Sequence, residues 1–259
     1  MVMPLDWPPI RVDVHASDDQ LHAMIGRVEK NFEHLGQTEP HWSILAADQF
    51  RSENIRDNEE EFFASGRVPV QELQATAARC GFTIAPEMTC LEHGCGIARS
   101  TIWLADLFGL VMALDVSKPH LVLADKVAHR FNKNNIFFLN VADFMVLERL
   151  PLFDIFFSIL VLQHNPPPLS YKLLSIMLRK LRPGGAAYFQ ILTYIAGYSF
   201  DASTYLASQL VLGPPEMHVI PQPDLLELFR ETGCSLLELR EDGSADYPAI
   251  SSRFFVRKN

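Results

Sequence analysis

The chain has 259 residues, 48% of them hydrophobic and 20% charged, enough to bury a sizeable core as one large domain or one domain with a cap. Its formal net charge of −9 disfavours a nucleic-acid-binding surface, because phosphates are bound by clustered Lys and Arg. The four cysteines form no C-x-x-C pair, which indicates a reducing compartment and disfavours a zinc site. The N-terminus lacks a signal-peptide pattern, and no apolar run approaches the roughly 20 residues of a membrane span. We therefore expect a cytoplasmic protein without a membrane or nucleic-acid partner.

The first 69 residues show no alternation of strand and helix patterns, and they predict a helical cap ahead of the main domain. Residues 1–18 contain several prolines and predict an extended lead-in. Ser17 predicts the N-cap of a helix over residues 21–35, where the apolar positions follow helical spacing, and Gly36 predicts its end.

Residues 70–259 show the alternation that is typical of βαβ units. The predicted strands lie at 89–92, 110–115, 136–140, 153–160, 186–192, 235–240 and 253–257, and the predicted helices at 70–80, 100–108, 119–131, 171–181 and 224–232. This pattern predicts an α/β fold with a doubly wound, mostly parallel seven-stranded sheet. Residues 194–221 interrupt it, and we interpret them as a lid, because loops at the carboxyl end of a strand often contact substrate.

A glycine turn follows the first predicted strand of this domain and indicates a nucleotide-like cofactor. A dinucleotide site would have its third glycine at position 99, where Arg99 would obstruct close packing of helix on strand. The alternative pattern, [D/E]-x-G-x-G-x-G, fits Glu92, Gly94 and Gly96, with Ala98 in place of the last glycine. This comparison favours S-adenosylmethionine over NAD or FAD.

The end of the next predicted strand carries an acid, Asp115, which lies 115 − 96 = 19 residues after Gly96. A carboxylate there can accept hydrogen bonds from both hydroxyls of a ribose. Without an acid at position 115, the two glycines would fit an ordinary turn equally well.

The chain resembles the class I S-adenosylmethionine-dependent methyltransferases over about residues 85–195. The resemblance rests on Leu-Glu-His-Gly-Cys-Gly at 91–96, Ala-Leu-Asp-Val-Ser at 113–117, Asn-Val-Ala-Asp-Phe at 140–144, Phe-Asp-Ile-Phe-Phe-Ser-Ile-Leu-Val-Leu-Gln-His at 153–164 and Leu-Arg-Pro-Gly-Gly at 181–185. It implies a Rossmann-like fold whose last strand is antiparallel. It also implies S-adenosyl-L-methionine as cofactor and S-adenosyl-L-homocysteine as product.

The resemblance assigns a set of residues to the cofactor. The expected cofactor-binding residues are Glu92, His93, Gly94, Gly96, Arg99, Asp115, Val116, Ser117, Asp143, Phe144, Ser158 and Ile159. Glu92, the glycine turn and Arg99 would hold the methionine end, and Asp115 the ribose. Val116, Asp143 and Phe144 would contact the adenine, and Ser158 with Ile159 would line the sulfonium. As alternatives, Asp143 fits a solvated acid at a strand end and Phe144 fits a core position.

Methyl transfer to a hydroxyl is aided by a general base, and His164 is the candidate because it follows the fourth predicted strand. It also fits a structural role before the proline-rich turn. Weaker candidates for acceptor contacts are His41, Trp42, Tyr194, Tyr198, Tyr205, His218 and Arg253. We expect no metal, since clustered acidic ligands near the acceptor are lacking.

These features predict a methyltransferase for a small-molecule acceptor, through a hydroxyl oxygen of a sugar, glycan precursor or secondary metabolite. Asn165-Pro-Pro-Pro168 resembles the motif of DNA methyltransferases but lacks its stacking aromatic residue, which disfavours base methylation. A non-catalytic protein with the same fold, binding a nucleoside or a partner, is the alternative, and an oxidoreductase is disfavoured by Arg99. The sequence leaves the oligomeric state open, a homodimer included.

Overall fold

The computed structural model describes residues 8–245 and 248–259. The first seven residues of the predicted lead-in lie outside this part of the chain. A seven-stranded sheet forms its centre. The strands are β2 (Thr89–His93), β3 (Leu110–Asp115), β4 (Ile136–Asn140), β5 (Phe153–Ser158), β6 (Leu181–Ile195), β8 (Cys234–Glu241) and β9 (Ala249–Lys258). Their order in the sheet is β4-β3-β2-β5-β6-β9-β8.

Helices cover both faces of the sheet. They are α1 (Asp18–Thr38), α2 (Ile55–Ser65), α3 (Arg67–Arg79), α4 (Thr101–Leu104), α5 (Lys118–Arg130), α6 (Phe144–Glu148), α7 (Pro167–Lys180), α8 (Ala202–Ala207) and α9 (Gln222–Glu231). A second, two-stranded parallel sheet joins β1 (Arg11–Val12) to β7 (Ser199–Phe200). Residues of the lead-in are thus hydrogen-bonded to the predicted lid.

The pairing of the strands confirms the predicted fold. Strands β2 to β6 pair in parallel, whereas β9 is antiparallel to both β6 and β8. The antiparallel final strand agrees with the resemblance. The strand β5 is buried along nearly its whole length, as a parallel strand covered on both faces requires.

The N-terminal helix α1 begins where the sequence predicts. The Ser17 hydroxyl accepts a hydrogen bond from the Gln20 amide, and the Gln20 side chain accepts one from the Ser17 amide, which completes a capping box. The prediction that Gly36 ends the helix is wrong, because α1 continues to Thr38. Gly36 is buried there instead, and a Cβ at this position would lie 2.9 Å from Ser117 Oγ. The glycine therefore permits close packing of α1 on the start of α5.

Helix boundaries differ from prediction where proline or a turn decides them. The helix predicted over 171–181 begins four residues earlier, because Pro167 and Pro168 occupy its first turn, where the absent N–H costs nothing. The helix predicted over 100–108 is a single helical turn, α4, followed by hydrogen-bonded turns.

The predicted cap is not packed as a separate body. Leu21, Met24 and Ile25 of α1 belong to the same apolar cluster as Leu91 of β2 and Phe156 of β5. The division into a cap over 1–69 and a domain over 70–259 stays a prediction. No helix in the described part of the chain is long and apolar enough to span a membrane.

Candidate active site

The candidate site lies where the strand order of the sheet reverses, between β2 and β5. The loops after the carboxyl ends of two such strands diverge, and the crevice between them is the usual ligand site of an open α/β sheet. After β2, the amides of Gly94 and Cys95 both donate to the Leu114 carbonyl, at 2.8 and 3.0 Å. These bonds draw the glycine turn over the end of β3.

The turn requires left-handed backbone at three alternate positions. Gly94, Gly96 and Ala98 have φ angles of +75°, +53° and +69°. Ala98 thus adopts the conformation that a glycine would take more easily, at a cost of about 1–2 kcal/mol for an L-residue. Ala98, which stands in place of the third glycine of the pattern, therefore preserves the backbone shape of the turn.

Asp115 fixes the same turn from the end of β3. Its Oδ2 accepts a hydrogen bond from the Gly96 amide at 2.8 Å, and its Oδ1 accepts one from the Ser117 amide, also at 2.8 Å. A carboxylate offers about four lone-pair sites, so two bonds leave capacity for the hydroxyls of a ribose. The contact of Asp115 with a ribose stays a prediction.

Glu92 and Arg99 form the buried base of the turn. Glu92 Oε2 and Arg99 Nε have no hydrogen-bond partner among the described residues. Burial raises the pKa of Glu92 to about 7, although Thr101 and Arg99 oppose the shift. Burial also lowers the pKa of Arg99, with Glu92 acting in the opposite direction. Unpartnered polar atoms are costly when buried, and a ligand with an ammonium and a carboxylate would satisfy both. This donor set fits the methionyl end of S-adenosylmethionine.

A cavity extends from this turn along the carboxyl edge of the sheet. It is lined by Ile25, Val28, Phe32, Ser43, Ile44, His93, Gly94, Gly96, Asp115, Val116, His120, Val141, Ile159, Leu160, Val161, His164, Asn165 and Leu173. Six predicted cofactor residues are among them, namely His93, Gly94, Gly96, Asp115, Val116 and Ile159. Mostly apolar walls with a few polar groups are typical of a small-molecule site.

The other six predicted cofactor residues do not line this cavity. Glu92 and Arg99 are buried at the base of the turn, and the remaining four make structural contacts. Ser117 caps α5, and its hydroxyl donates to the Phe32 carbonyl at 3.0 Å. The Ser158 hydroxyl donates to the His93 carbonyl at 3.1 Å and ties β5 to β2. Asp143 is exposed and caps α6, where its Oδ1 accepts from the Met145 amide.

Phe144 is buried in the core with the ring of His22 5.7 Å away. Its contact with the adenine, like that of Asp143, stays a prediction. The exposed Asp143 and the buried Phe144 also fit the alternatives left open by the sequence, a solvated acid and a core residue.

His164 lies at the boundary between two cavities. A smaller neighbouring cavity shares Val28, Phe32 and His164 with the first one. The rest of its lining is Arg27, Asn31, Tyr205, Leu210, Val211 and Glu216. The candidate base is therefore accessible from a pocket that is separate from the glycine turn.

The predicted acceptor residues fall into two groups. Tyr198, Tyr205 and His218 cluster in the lid, and Tyr205 lines the second cavity. The other four lie elsewhere. His41 packs edge-on against Phe62, and Trp42 lies under the guanidinium of Arg51. Tyr194 donates to the Pro8 carbonyl, and Arg253 pairs with Glu72 and Asp242 beside a different cavity.

The cavity contains residues that the sequence analysis did not single out. Ile44 and Val161 lie against the two glycines of the turn, and Ser43 is hydrogen-bonded to His120 at 2.9 Å between Oγ and Nε2. Burial lowers the pKa of His120, whereas the nearby Asp115 carboxylate acts in the opposite direction. Ser43 and Ile44 come from the predicted cap, and no local motif marks them. Only the packing of α1 and the following turn brings them to the site.

Comparisons with known proteins agree with this geometry. A family model described as a methyltransferase domain matches residues 90–185. No curated protein matches the sequence. The magnesium protoporphyrin IX methyltransferase ChlM from Synechocystis PCC 6803, solved with S-adenosyl-L-homocysteine, is 18% identical with a TM-score of 0.64, over 91% of this chain and 99% of that one.

Two further solved structures share the fold. The N-methyltransferase NodS from Bradyrhizobium japonicum WM9, also with S-adenosyl-L-homocysteine, is 18% identical with a TM-score of 0.56, covering 88% and 98% of the two chains. The [4+2]-cyclase SpnF is 16% identical with a TM-score of 0.57, covering 96% and 99%. Residues 90–185 thus match a methyltransferase domain, and the sheet topology shows that this chain has the fold of the class I S-adenosylmethionine-dependent methyltransferases.

Proposed function

We propose that this chain transfers the methyl group of S-adenosylmethionine to a hydroxyl oxygen of a small-molecule acceptor. The observation that carries the proposal is the position of His164, which lines both the cavity at the glycine turn and the neighbouring cavity. A group between a cofactor pocket and a second pocket is placed to take a proton from an acceptor bound in the second.

The first cavity and the buried Glu92–Arg99 pair at the base of the glycine turn would together supply the contacts that the cofactor needs. Glu92 and Arg99 would bind the amino and carboxylate groups of its methionyl part, and Asp115 would bind the ribose hydroxyls. Val116 and Val141 provide apolar wall for the adenine. The bound cofactor supplies a methyl group that is already activated on a sulfonium. The protein's task is then to align the acceptor oxygen with this methyl group and to exclude water.

The helix α1 contributes to that exclusion. Ile25, Val28 and Phe32 lie on one side of this helix and line the first cavity. The same helix carries Arg27 and Asn31 at the second cavity, so one element forms a wall of both. A displacement of α1 would open both pockets to water together.

The second cavity favours an acceptor with an apolar body. Five of its nine lining residues are apolar or aromatic, and Arg27 provides a cation. The five are Val28, Phe32, Tyr205, Leu210 and Val211. Among the acceptor classes predicted from the sequence, a secondary metabolite with a hydroxyl on an apolar or aromatic body fits these walls better than a sugar. Because all four cysteines are free thiols, we also infer a reducing, cytoplasmic location.

Calorimetric titration with S-adenosylmethionine tests the cofactor assignment. Asp115→Ala should weaken binding at least about tenfold, the scale of a lost charge-assisted hydrogen bond. Asp125→Ala, an exposed acid on α5, is the matched control and should bind like the wild type. Tritiated cofactor with a panel of hydroxylated acceptors tests the transfer. A folded protein that binds no S-adenosylmethionine would contradict the proposal.

A different reaction on the same fold is the second candidate. SpnF, a [4+2]-cyclase, shares the fold, so the fold alone does not fix the chemistry. Burial lowers the pKa of His164 to about 4, which makes it a weak base and favours this alternative. Tight binding of S-adenosyl-L-homocysteine, without methyl transfer to any acceptor of a broad panel, would support it.

A further inference from the structure

The residues 216–218, here called the strap, run along the turn that contains His164. The Glu216 carbonyl oxygen lies 2.8 Å from His164 Nδ1. Two residues further, the His218 amide donates to the Gln163 carbonyl at 2.7 Å. The strap is therefore bonded to two consecutive residues of the turn after β5, once through a side chain and once through the backbone.

Side chains of the lid hold the strap in this position. Glu216 Oε2 accepts hydrogen bonds from His218 Nε2 and from the Tyr205 hydroxyl, both at 3.0 Å. The Tyr198 hydroxyl lies 2.9 Å from His218 Nδ1. One neutral imidazole satisfies both neighbours when Tyr198 donates to Nδ1 and Nε2–H donates to the carboxylate. The rings of Phe200 and Tyr205 pack against His218, with centroids 5.5 and 5.9 Å away.

The contact with the Glu216 carbonyl determines the tautomer of His164. A carbonyl oxygen only accepts hydrogen bonds, so Nδ1 of His164 must carry the proton. In a neutral imidazole, Nε2 is then the acceptor. Since burial lowers the pKa of His164 to about 4, the ring is neutral near pH 7 and the choice of tautomer decides which nitrogen takes a proton.

We propose that the strap is a positioning element for the candidate base: it holds His164 in the Nδ1–H tautomer, so that Nε2 is the basic nitrogen. This inference rests on the proposed function of His164. In it, Glu216 and His218 contact neither cofactor nor acceptor and act only by orienting His164. Tyr205 and Tyr198 act one step further away, by fixing Glu216 and His218.

The charged and titratable groups around His164 come from three elements. Glu216 and His218 belong to the strap and Tyr205 to α8, and Arg27 of α1 lines the second cavity with Glu216 and Tyr205. Phe32 of α1 is the neighbouring ring, with its centroid 6.3 Å from that of His164. Release of the strap would therefore expose more of the half-buried His164 ring to water.

Nitrogen-15 NMR of histidine-labelled protein measures the tautomer and the pKa directly, without an acceptor. Among the nine histidines, the His164 signals are identified by their loss in His164→Gln, and those of His22 by their loss in His22→Gln. We expect wild-type His164 to be in the Nδ1–H form. In Glu216→Ala, the tautomer ratio should shift by about tenfold towards Nε2–H, and the pKa of His164 should rise by about one unit, since a more hydrated ring is more easily protonated.

Two control variants and the signal of a second histidine distinguish a specific effect on the His164 tautomer from a general disturbance of the fold. Glu216→Gln keeps an oxygen acceptor for Tyr205 and should restore most of the wild-type tautomer ratio. Glu227→Ala removes an exposed carboxylate from α9 and should change nothing. His22, whose Nδ1 lies 2.7 Å from the Asp18 carbonyl, should keep its own signal in every variant.

The milder variant Tyr205→Phe keeps the test valid if Glu216→Ala does not fold, and it should shift the tautomer ratio in the same direction. The inference is overturned if His164 has the Nε2–H form in the wild type, or if its tautomer and pKa are unchanged in both variants. Calorimetry with S-adenosylmethionine reports on the proposed function separately. If the wild type binds S-adenosylmethionine but the tautomer and pKa of His164 are unchanged in the variants, only the role of the strap is refuted. If the wild type does not bind S-adenosylmethionine, the proposed function is refuted.

Discussion

The side chain of Val161 fills the space beside Gly94. A Cβ built on this glycine would lie 2.3 Å from Val161 Cγ1 and 2.9 Å from Val161 Cβ, well inside van der Waals contact. Gly94 thus lets the turn after β2 and the loop after β5 come together at the mouth of the cavity. The same turn touches Ile44 at Gly96, where a Cβ would lie 2.4 Å from Ile44 Cδ1.

Gly94→Ala should therefore disturb the site more than its small size suggests. The residue has a φ of +75°, and the neighbouring Val161 Cβ cannot move without its backbone. We expect a loss of about 2–4 kcal/mol in the free energy of unfolding from strain and overpacking, measured by urea denaturation. Binding of S-adenosylmethionine should weaken as well.

Gly26→Ala is the matched control for this substitution. Gly26 lies inside α1, and a Cβ there meets no atom within 4 Å. The change should stabilise the protein by about 0.5–1 kcal/mol, because glycine is unfavourable inside a helix. Equal destabilisation by both variants would contradict the role assigned to Gly94.

Binding of S-adenosylmethionine should depend on pH through Glu92. Burial raises the pKa of Glu92 to about 7, and the ammonium of the cofactor favours its ionised form. Below pH 7 the carboxyl group must lose its proton on binding, so the affinity should fall by up to about tenfold per pH unit towards pH 5. Above pH 7 it should level off.

Calorimetry in buffers with different ionisation enthalpies counts the protons released. Glu92→Gln should bind more weakly and without this pH dependence. Without cofactor, the unfolded state loses the Glu92 proton near pH 4.5, before the folded state does, so this group's contribution to stability should decrease from pH 4.5 to 7. An affinity that is constant from pH 5 to 8 would contradict an ionised Glu92 in the complex.

The candidate base should control the rate of transfer and leave cofactor affinity unchanged. His164→Gln should lower kcat by about 10²- to 10⁴-fold, the usual contribution of a general base, with an unchanged Kd for S-adenosylmethionine. Because burial lowers the pKa of His164 to about 4, the rate should be independent of its protonation from pH 5 to 8 and should fall only below that range.

His34→Gln is the control, because His34 is exposed on α1. It should match the wild type in kcat and affinity. If His164→Gln retained the full rate with an acceptor that the wild type methylates, His164 would not be the base.

The link between the cap and the sheet can be tested at Ser43. Its hydroxyl is 2.9 Å from His120 Nε2, and both side chains are buried. Ser43→Ala leaves this ring nitrogen without its partner and should cost about 1–3 kcal/mol in the free energy of unfolding. Ser235→Ala removes an exposed hydroxyl that is bonded to Asn259 and should change stability by less than about 0.5 kcal/mol.

Local patterns in the sequence determine the class of fold and the place of the cofactor. The alternation of strands and helices follows from the different periods of the two elements, so the seven strands are readable without any tertiary contact. The glycine turn and Asp115 lie on two consecutive strands, and the parallel pairing of β2 with β3 places them together. For these features, proximity in space follows from order along the chain.

Tertiary structure alone decides how the site is enclosed and how His164 is held. Ile44 reaches Gly96 from the cap, Val161 reaches Gly94 from the loop after β5, and Glu216 reaches His164 from the lid. Each contact joins segments that are far apart in sequence, and none belongs to a repeating pattern. Such contacts depend on the close packing of whole elements, which fixes positions that neither propensity nor periodicity encodes.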